Sequence, residues 1–221
     1  MCADNQATVF VIDDDPAVRR SLLRLIESVP RPVRTYANAE EFLDDYEPGM
    51  TGCLVTDVRM PGLDGVELHR TLVARGFSIP VIIISGHAEV HMAVDSMRLG
   101  AVDFIEKPFR PRVLLDRIAV AIELDSSRRR QREQRDSARN QLARLTPRER
   151  EILALVVQGK PGKQIANELG VTEKTIENHR ANIRAKTQAR SLPALVRLAA
   201  LADSPDNCAA SGSLGVFALP T

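Results

Sequence analysis

The sequence predicts an α/β protein in which a doubly wound, five-stranded parallel sheet is joined by a helical linker to an all-α helix-turn-helix domain. Three observations lead to this prediction. Short apolar runs alternate with amphipathic stretches in the first half of the chain, and the net charge changes sign between the halves. The second half contains two helix-like stretches separated by a glycine. With 221 residues, 44% of them hydrophobic, the chain is long enough for two small domains with separate cores.

Five apolar runs have the length and composition of strands that are buried on both faces of a parallel sheet. They cover residues 8–12, 33–36, 53–56, 81–84 and 101–105. After the first run, Val18, Leu22 and Leu25 follow the helical period and form one apolar stripe. Five strand–helix units in about 120 residues predict a doubly wound sheet, which binds its ligands at the carboxyl ends of the strands.

The charge and the cysteine content of the chain indicate which kind of partner it binds and in which cellular compartment it works. Residues 1–124 contain 13 Lys and Arg against 19 Asp and Glu, a net charge of −6, whereas residues 125–221 contain 17 against 10, a net charge of +7. We therefore expect the second half to bind a polyanion. Cys2, Cys53 and Cys208 lie far apart without a CxxC pair, which argues against a disulfide framework or a zinc site. The sequence shows neither a signal peptide nor a membrane span, so we expect a cytoplasmic protein without a membrane partner.

Carboxylates follow the first and the third apolar run. Asp13 and Asp14 end the first run and Asp57 ends the third. In a sheet of order 2-1-3-4-5 these strands are neighbours, so the three carboxylates are expected to converge. Together they would repel and raise one another's pKa, and a hard divalent cation such as Mg²⁺ would relieve this. Asp15 precedes Pro16 and is expected to be a helix N-cap. In the alternative interpretation Asp13, Asp14 and Asp15 are all loop and cap residues.

Two further strand ends carry complementary polar groups. The fourth run ends at Ser85 and the fifth is followed by Lys107. A hydroxyl and an ammonium beside a nucleophilic carboxylate and a metal ion are the groups needed to take up a phosphoryl group. Each residue alone is weak support, but four strand ends with complementary groups favour this chemistry.

Residues 7–124 resemble the receiver domain of two-component response regulators. The motifs "IDDD", "TDVRMPGLDG", "SGH" and "DFIEKPF" occur in the order and spacing of that family. The resemblance implies that Asp57 is the phosphorylated residue. It also implies that Mg²⁺ is bound by Asp13, Asp14, Asp57 and the backbone carbonyl of Arg59.

The same resemblance assigns a switch and a dimer face. It implies that Ser85 and Lys107 contact the phosphoryl group, that Phe104 is the aromatic switch residue, and that the Lys107–Pro108 peptide is cis. Receiver domains commonly dimerise through the fourth helix, fifth strand and fifth helix. The expected contacts are Val94, Arg98, Ala101 and Val102, although an apolar residue there could instead belong to the core.

Residues 125–143 are expected to form a linker between the domains. The stretch 125–145 contains seven arginines, no proline or glycine, and little apolar periodicity. We expect a solvated, arginine-rich helix that continues the last helix of the first domain. Direct contact of the arginines with DNA and a coiled coil are the alternatives.

The second domain, residues 144–201, begins with a strong helix start. In "LTPRERE", Thr146 and Glu149 form a capping box around a proline at the first helical position. Two helices separated by a glycine follow, and Ile176 and Ile183 of the second helix are expected to face inward. Its outward residues are basic and polar, as in a helix that enters the DNA major groove.

The pattern "TPRERE…IANELGVTEKTIENHRANI…AKT" resembles the LuxR-type DNA-binding domain. The resemblance implies that Glu177, Asn178 and Ala181 face base edges. The expected phosphate contacts are Lys174, Arg180, Asn182, Arg184 and Lys186. Thr187 stands where the family usually has leucine, and its hydroxyl would weaken packing unless it finds a partner.

Residues 7–201 as a whole resemble response regulators of the FixJ type. The resemblance implies a sensor histidine kinase as phosphoryl donor, a homodimer formed on phosphorylation, promoter double-stranded DNA as ligand and RNA polymerase as a partner. The expected outcome is regulation, and more specifically activation, of transcription. Residues 203–221 are rich in small residues, and we expect them to be disordered.

Three other functions remain open at this point. A phosphohydrolase with Asp57 as nucleophile is one, although haloacid-dehalogenase-type enzymes carry an aspartate where this chain has Arg59. A DNA-binding regulator that works without phosphorylation is the second. A protein-interaction adaptor that never contacts DNA is the third.

Overall fold

The computed structural model describes residues 7–86 and 90–204. These residues form two compact units, which divide between Arg128 and Arg129. Residues 205–221, which hold most of the tail expected to be disordered, lie outside the described residues, as do Cys2 and Cys208.

The first unit contains the predicted parallel sheet. Its strands are β1 (Thr8–Ile12), β2 (Val33–Tyr36), β3 (Gly52–Asp57), β4 (Val81–Ser85) and β5 (Asp103–Glu106), and their order is β2-β1-β3-β4-β5. Its helices are α1 (Pro16–Glu27), α2 (Ala39–Asp45), α3 (Gly65–Ala74), α4 (Val90–Arg98) and α5 (Pro111–Ala143). All pairings are parallel, which confirms the predicted fold class and strand order.

Side chains of each strand alternate between two cores, one on each face of the sheet. Phe10 and Ile12 belong to one core, and Val9 and Val11 belong to the other. This period of two explains why the strands read as uninterrupted apolar runs, since both faces are covered. The first core also contains edge-to-face aromatic contacts, such as Phe10 with Phe42 at a centroid distance of 5.6 Å.

Local interactions decide where α1 and α3 begin, just after the ends of β1 and β3. The Asp15 side chain accepts a hydrogen bond from N of Ala17 over 2.7 Å and caps α1, and Pro16 opens the helix. Gly65 opens α3 so close to the carbonyl of Asp57 that a Cβ at this position would overlap with it. The absence of a side chain at Gly65 therefore lets α3 start beside the end of β3.

The start of the predicted linker belongs to the first unit. The buried carboxylate of Asp125 accepts a hydrogen bond from N of Gly52 over 3.0 Å, and Nη1 of Arg128 donates to the carbonyl of Ser78 over 3.2 Å. The helix α5 runs through the linker as far as Ala143, and its residues from Arg129 onward belong to the second unit. The boundary of the first unit therefore lies a few residues beyond the expected position 124.

The second unit is helical. It contains α6 (Pro147–Val157), α7 (Gly162–Leu169), α8 (Glu173–Thr187) and α9 (Leu192–Asp203), besides the second part of α5. Thr146 and Glu149 form the expected capping box, and Gly170 ends α7 with a φ of 65°. The core includes Ile176 and Ile183, as their spacing predicts. No helix in the described part of the chain has the length and apolar character needed to span a membrane.

Candidate functional site

The carboxyl ends of β1, β3 and β5 meet in a set of ion pairs centred on Lys107. Its Nζ lies 2.5 Å from Oδ1 of Asp57 and 3.0 Å from Oδ2 of Asp13. Asp57 ends β3, Asp13 follows β1, and Lys107 follows β5. The side chains of Asp13 and Asp57 are only 3% and 10% exposed. The parallel sheet thus assembles three charged groups, two of them 94 residues apart in the chain.

Backbone amides hold the second oxygen of each buried carboxylate. N of Arg59 donates to Oδ2 of Asp57 over 2.8 Å, and N of Asp15 donates to Oδ1 of Asp13 over 3.0 Å. Each carboxylate therefore has one oxygen on Lys107 and the other on the backbone. Charge-assisted hydrogen bonds of this kind fix the orientation of both groups.

The charges of the site perturb one another's protonation. Burial raises the pKa of Asp13, and the hydrogen bond and charge of Lys107 only partly offset this effect. Burial lowers the pKa of Lys107, but the hydrogen bonds that Lys107 donates to Asp57 and Asp13 have a larger combined effect. The pKa of Lys107 therefore lies above its ordinary value. Lys107 therefore remains a cation at neutral pH. The pKa of Asp13 stays above its ordinary value because the effect of burial exceeds that of the neighbouring ammonium.

Arg19 binds the backbone of Asp13 and Asp14, a role that was not expected from the sequence. Its Nη1 donates to the carbonyl oxygens of Asp13 and Asp14 over 2.5 and 3.0 Å. Arg19 lies one helical turn after the N-cap Asp15. A basic residue one turn after an acidic cap is the sequence signal that could have identified it.

The acidic residues fit Mg²⁺ as a partly hydrated ion. The Asp14 side chain is exposed, whereas Lys107 pairs with the buried Asp13 and Asp57. Among the described residues, no group of three or more His, Cys, Asp or Glu side chains forms a ready-made metal cage. Mg²⁺ commonly keeps several waters and uses only one or two carboxylates. The buried pair of carboxylates, Asp13 and Asp57, is compatible with that preference.

Ser85 and Phe104 occupy neighbouring strands beside this site. Ser85 is buried at the end of β4, and its carbonyl accepts a hydrogen bond from N of Lys107 over 2.7 Å. Phe104 pairs with Ile83 in the sheet and is partly buried against the first core. The Lys107–Pro108 peptide is cis, as the resemblance implies.

The expected dimer face is only partly available at the surface. Val94 is exposed and so is Arg98, but Ala101 is a core residue with 6% exposure and Val102 packs against the second core. Ala101 therefore cannot supply a surface contact. Two residues not expected from the sequence, Val90 and Met97, are exposed on α4 together with Val94. Their i, i+4, i+7 spacing places all three on one side of the helix, and this spacing could have identified them.

In the second unit, α7 and α8 form the helix-turn-helix and α8 presents the expected polar surface. The exposed residues are Lys174, Glu177, Asn178, Ala181, Asn182 and Arg184, and Arg180 is partly exposed. Lys186 differs from these residues, because its Nζ lies 2.7 Å from Oε2 of the buried Glu149. Its ammonium is thus paired within the unit although the side chain is partly exposed, an interaction that the sequence pattern did not predict.

Thr187 finds the partner that its buried position requires. The residue is 2% exposed, and Oγ1 donates to the carbonyl of Ile183, one turn earlier in α8, over 2.7 Å. A buried hydroxyl with a hydrogen bond avoids most of the cost of desolvation. The departure from the usual leucine is therefore accommodated within the helix.

Two family models match the chain. The response regulator receiver domain matches residues 9–119, and the bacterial regulatory proteins of the luxR family match residues 143–199. The chain therefore belongs to the two-component response regulators that carry a LuxR-type DNA-binding domain.

Similar proteins narrow this class to the FixJ type. The transcriptional regulatory protein FixJ of Azorhizobium caulinodans is 44% identical over 194 residues, which are 88% of this chain and 92% of that protein. The structure of the response regulator StyR is 42% identical, with a TM-score of 0.80 over 88% of this chain and 98% of that one. Full-length FixJ from B. japonicum is also 42% identical, with a TM-score of 0.54 over 89% and 97% of the two chains.

Proposed function

We propose that a sensor histidine kinase phosphorylates Asp57 and that phosphorylation leads to a homodimer that binds promoter DNA and activates transcription. The observation that carries this proposal is the position of Lys107, whose Nζ lies 2.5 Å from Asp57 and 3.0 Å from Asp13. A cation at this position can neutralise the oxygens of a phosphoryl group attached to Asp57.

The chemistry is a phosphoryl transfer between side chains. A carboxylate oxygen of Asp57 attacks the phosphorus of a phosphohistidine, the P–O bond forms, and the P–N bond to the kinase breaks. The backbone amide of Arg59 and the ammonium of Lys107 orient the attacking carboxylate. Mg²⁺, when bound by Asp13, Asp14, Asp57 and the Arg59 carbonyl, supplies further neutralisation of the phosphoryl oxygens.

The signal then passes from the site to the surface of α4. The Ser85 hydroxyl donates a hydrogen bond to the phosphoryl group. As Ser85 is drawn towards the phosphoryl group, the ring of Phe104 turns inward. This step shifts a pre-existing equilibrium between two states of the first unit. In the active state the exposed side of α4, with Val94 and Arg98, forms the dimer contact together with Val90 and Met97.

The output is DNA binding by α8. A dimer presents two copies of this helix to two half-sites, with Glu177, Asn178 and Ala181 towards base edges. Lys174, Arg180, Asn182 and Arg184 hold phosphates. Promoter binding in the cytoplasm then allows contact with RNA polymerase.

Mass spectrometry and DNA binding together test the proposal. Incubation of the full chain with acetyl phosphate and Mg²⁺ should add about 80 Da at Asp57, the mass of one phosphoryl group. The adduct should be absent with EDTA and in Asp57→Asn, and it should be accompanied by tighter DNA binding. Lack of an adduct with acetyl phosphate and with every competent kinase would overturn the proposal.

Three further measurements separate the alternatives. Equal DNA affinity of wild type and Asp57→Ala under phosphorylating conditions would indicate a phosphorylation-independent regulator. Multiple turnover of a small phosphate ester would indicate a phosphohydrolase. Retained promoter binding after Lys174, Arg180 and Arg184 are all changed to alanine would argue against α8 as the DNA-binding helix.

A further inference from the structure

The first turn of α6 is attached to the C-terminal ends of both helices of the helix-turn-helix. Nη2 of Arg148 donates to the carbonyl oxygen of Leu169, the last residue of α7, over 2.9 Å. Nζ of Lys186, in the last turn of α8, lies 2.7 Å from Oε2 of Glu149. Two consecutive residues of one helix therefore hold the ends of two others.

Glu149 is a buried carboxylate that the proposed function does not use. Its side chain is 4% exposed, whereas that of Lys186 is 37% exposed. The oxygen that contacts Lys186 also accepts a hydrogen bond from N of Thr146 over 2.8 Å, as part of the capping box. The hydrogen bond from Lys186, followed by that from Thr146, holds the pKa of Glu149 below its ordinary value, so the group is an anion at neutral pH.

We infer that Glu149 is a positioning residue for DNA binding: it holds Lys186, and with it the last turn of α8, and keeps that ammonium away from DNA phosphates. This inference rests on the proposed binding of DNA by α8. It leaves the cationic phosphate contacts of this helix to Lys174, Arg180 and Arg184.

The difference in burial between Glu149, which is buried, and Lys186, which is partly exposed, explains why the two stay paired. A DNA phosphate that captured Lys186 would leave a buried carboxylate without its cation, and an unpaired buried charge is strongly unfavourable. Lys174 and Arg184 are held less firmly, since the partner of Lys174 at 3.4 Å, Glu177, is itself exposed and Arg184 is an exposed residue. The charge that α8 offers to DNA is therefore smaller than its sequence suggests.

The test uses four single variants and one double variant of the full chain, and one of the single variants, Arg184→Met, serves as the reference for a lost phosphate contact. Lys186→Met removes the ammonium, and Glu149→Gln removes the charge but retains an oxygen for the capping box. Both changes are also combined. Glu168→Gln is the matched control, because it removes the same charge and releases Lys160 from a 2.7 Å ion pair elsewhere in the unit.

The probe is a duplex of about 30 base pairs, long enough for two half-sites, selected from a random pool by the acetyl-phosphate-treated wild type. A scrambled duplex of equal composition measures non-specific binding. Discrimination between the two duplexes is a readout that a loss of stability alone would not change well below the unfolding temperature.

The inference predicts a particular pattern of losses. Lys186→Met should keep the wild-type slope of log affinity against log salt concentration. Arg184→Met, which removes a proposed phosphate contact, should reduce that slope by about 0.9 per half-site, the value for one contact. Glu149→Gln and Lys186→Met should each lower discrimination roughly tenfold, and the double variant no further, as expected of two coupled residues. Glu168→Gln should discriminate as the wild type does.

Three outcomes would overturn the inference. The first is a slope reduced by about 0.9 per half-site in Lys186→Met, which would place Lys186 on a phosphate. The second is additive losses in the double variant, and the third is unchanged discrimination in Glu149→Gln. A wild-type chain that selects no duplex would overturn the proposed function as well, whereas selective binding with unaffected variants would overturn this inference alone.

Discussion

Nζ of Lys107 lies 2.5 Å from Oδ1 of Asp57, although the two residues are 50 positions apart in the chain. The same ammonium reaches Asp13, so a single cation holds two buried carboxylates at the end of the sheet. A divalent ion that binds these carboxylates would have to compete with Lys107 for their oxygens. The balance between the lysine and a metal ion therefore becomes a measurable property of the site.

Replacement of Lys107 by methionine should tighten the binding of Mg²⁺. A unit charge at about 4 Å contributes on the order of 1–4 kcal/mol, so its removal should increase Mg²⁺ affinity roughly tenfold or more. The same variant should lose the gain in DNA affinity on phosphorylation, because the ammonium of Lys107 then no longer contacts the phosphoryl group. Titration calorimetry with Mg²⁺ measures the first effect, and Lys107→Arg, which keeps the charge, is the control. Weaker Mg²⁺ binding in Lys107→Met would contradict this account.

A charge on the exposed side of α4 should prevent dimer formation without affecting phosphorylation. Val94→Asp places a carboxylate among Val90 and Met97, and burial of an unpaired charge in an interface is unfavourable. Analytical ultracentrifugation of the acetyl-phosphate-treated protein should show a monomer, while mass spectrometry still detects the adduct at Asp57. Val73→Asp, at an exposed apolar position of α3, should dimerise as the wild type does. A dimeric Val94→Asp variant would exclude this side of α4 as the interface.

Loss of the Asp125 carboxylate should destabilise the first unit. Asp125→Ala leaves N of Gly52 without its acceptor, and a buried unpaired donor costs about 1–3 kcal/mol. Asp125→Asn retains an oxygen acceptor and should lose less. Urea unfolding followed by tyrosine fluorescence reports on this unit alone, because the chain contains two tyrosines, Tyr36 and Tyr46, and no tryptophan. Equal stability of Asp125→Ala and wild type would show that the linker start does not support the sheet.

His69 should make the first unit less stable in mild acid. The residue is 4% exposed, and its Nδ1 has no hydrogen-bond partner within the described residues. Burial lowers the pKa of His69 to about 4 from a usual value of 6.5. The unfolded chain therefore takes up a proton below pH 6.5 while the folded chain does not, until the pH reaches about 4.

The expected loss is progressive over this window and amounts to about 3 kcal/mol at most, at 1.36 kcal/mol per pKa unit. Above pH 6.5 His69 contributes no pH dependence, and below about pH 4 its contribution no longer changes. His69→Leu should remove this component, so the difference between wild type and variant should grow as the pH falls through the window. Parallel stability curves of the two proteins, again from tyrosine fluorescence, would contradict the depressed pKa.

The ends of the strands were the most predictable part of the site. Asp13, Asp57 and Lys107 each follow an apolar run, and parallel strands place such residues at one edge of the sheet. Local signals also identified the caps, since Asp15 and Thr146 cap α1 and α6 as their sequence neighbours suggest. Each cap and each strand end is marked by residues only a few positions apart, and the parallel sheet does the rest by bringing the strand ends together.

Interactions between distant side chains were not predictable in this way. The carboxylate of Asp125 belongs to the arginine-rich stretch by sequence, but it binds Gly52, 73 residues away. Lys186 has the pattern of a DNA contact, but Glu149, 37 residues away, holds its ammonium. Ala101 follows a helix that carries surface residues, and the packing against the sheet makes it part of the core.

The sequence by itself determined the order of the strands and helices, the chemistry at the strand ends and the polar side of α8. Hydrophobic periodicity and capping act over one or two turns and are therefore visible in the sequence. Only the tertiary structure decided which charged groups pair and which apolar residues stay exposed. The physical reason is that a side chain's partner depends on how whole helices and strands pack, and a difference in packing of a few ångströms decides whether a charge meets another charge or water.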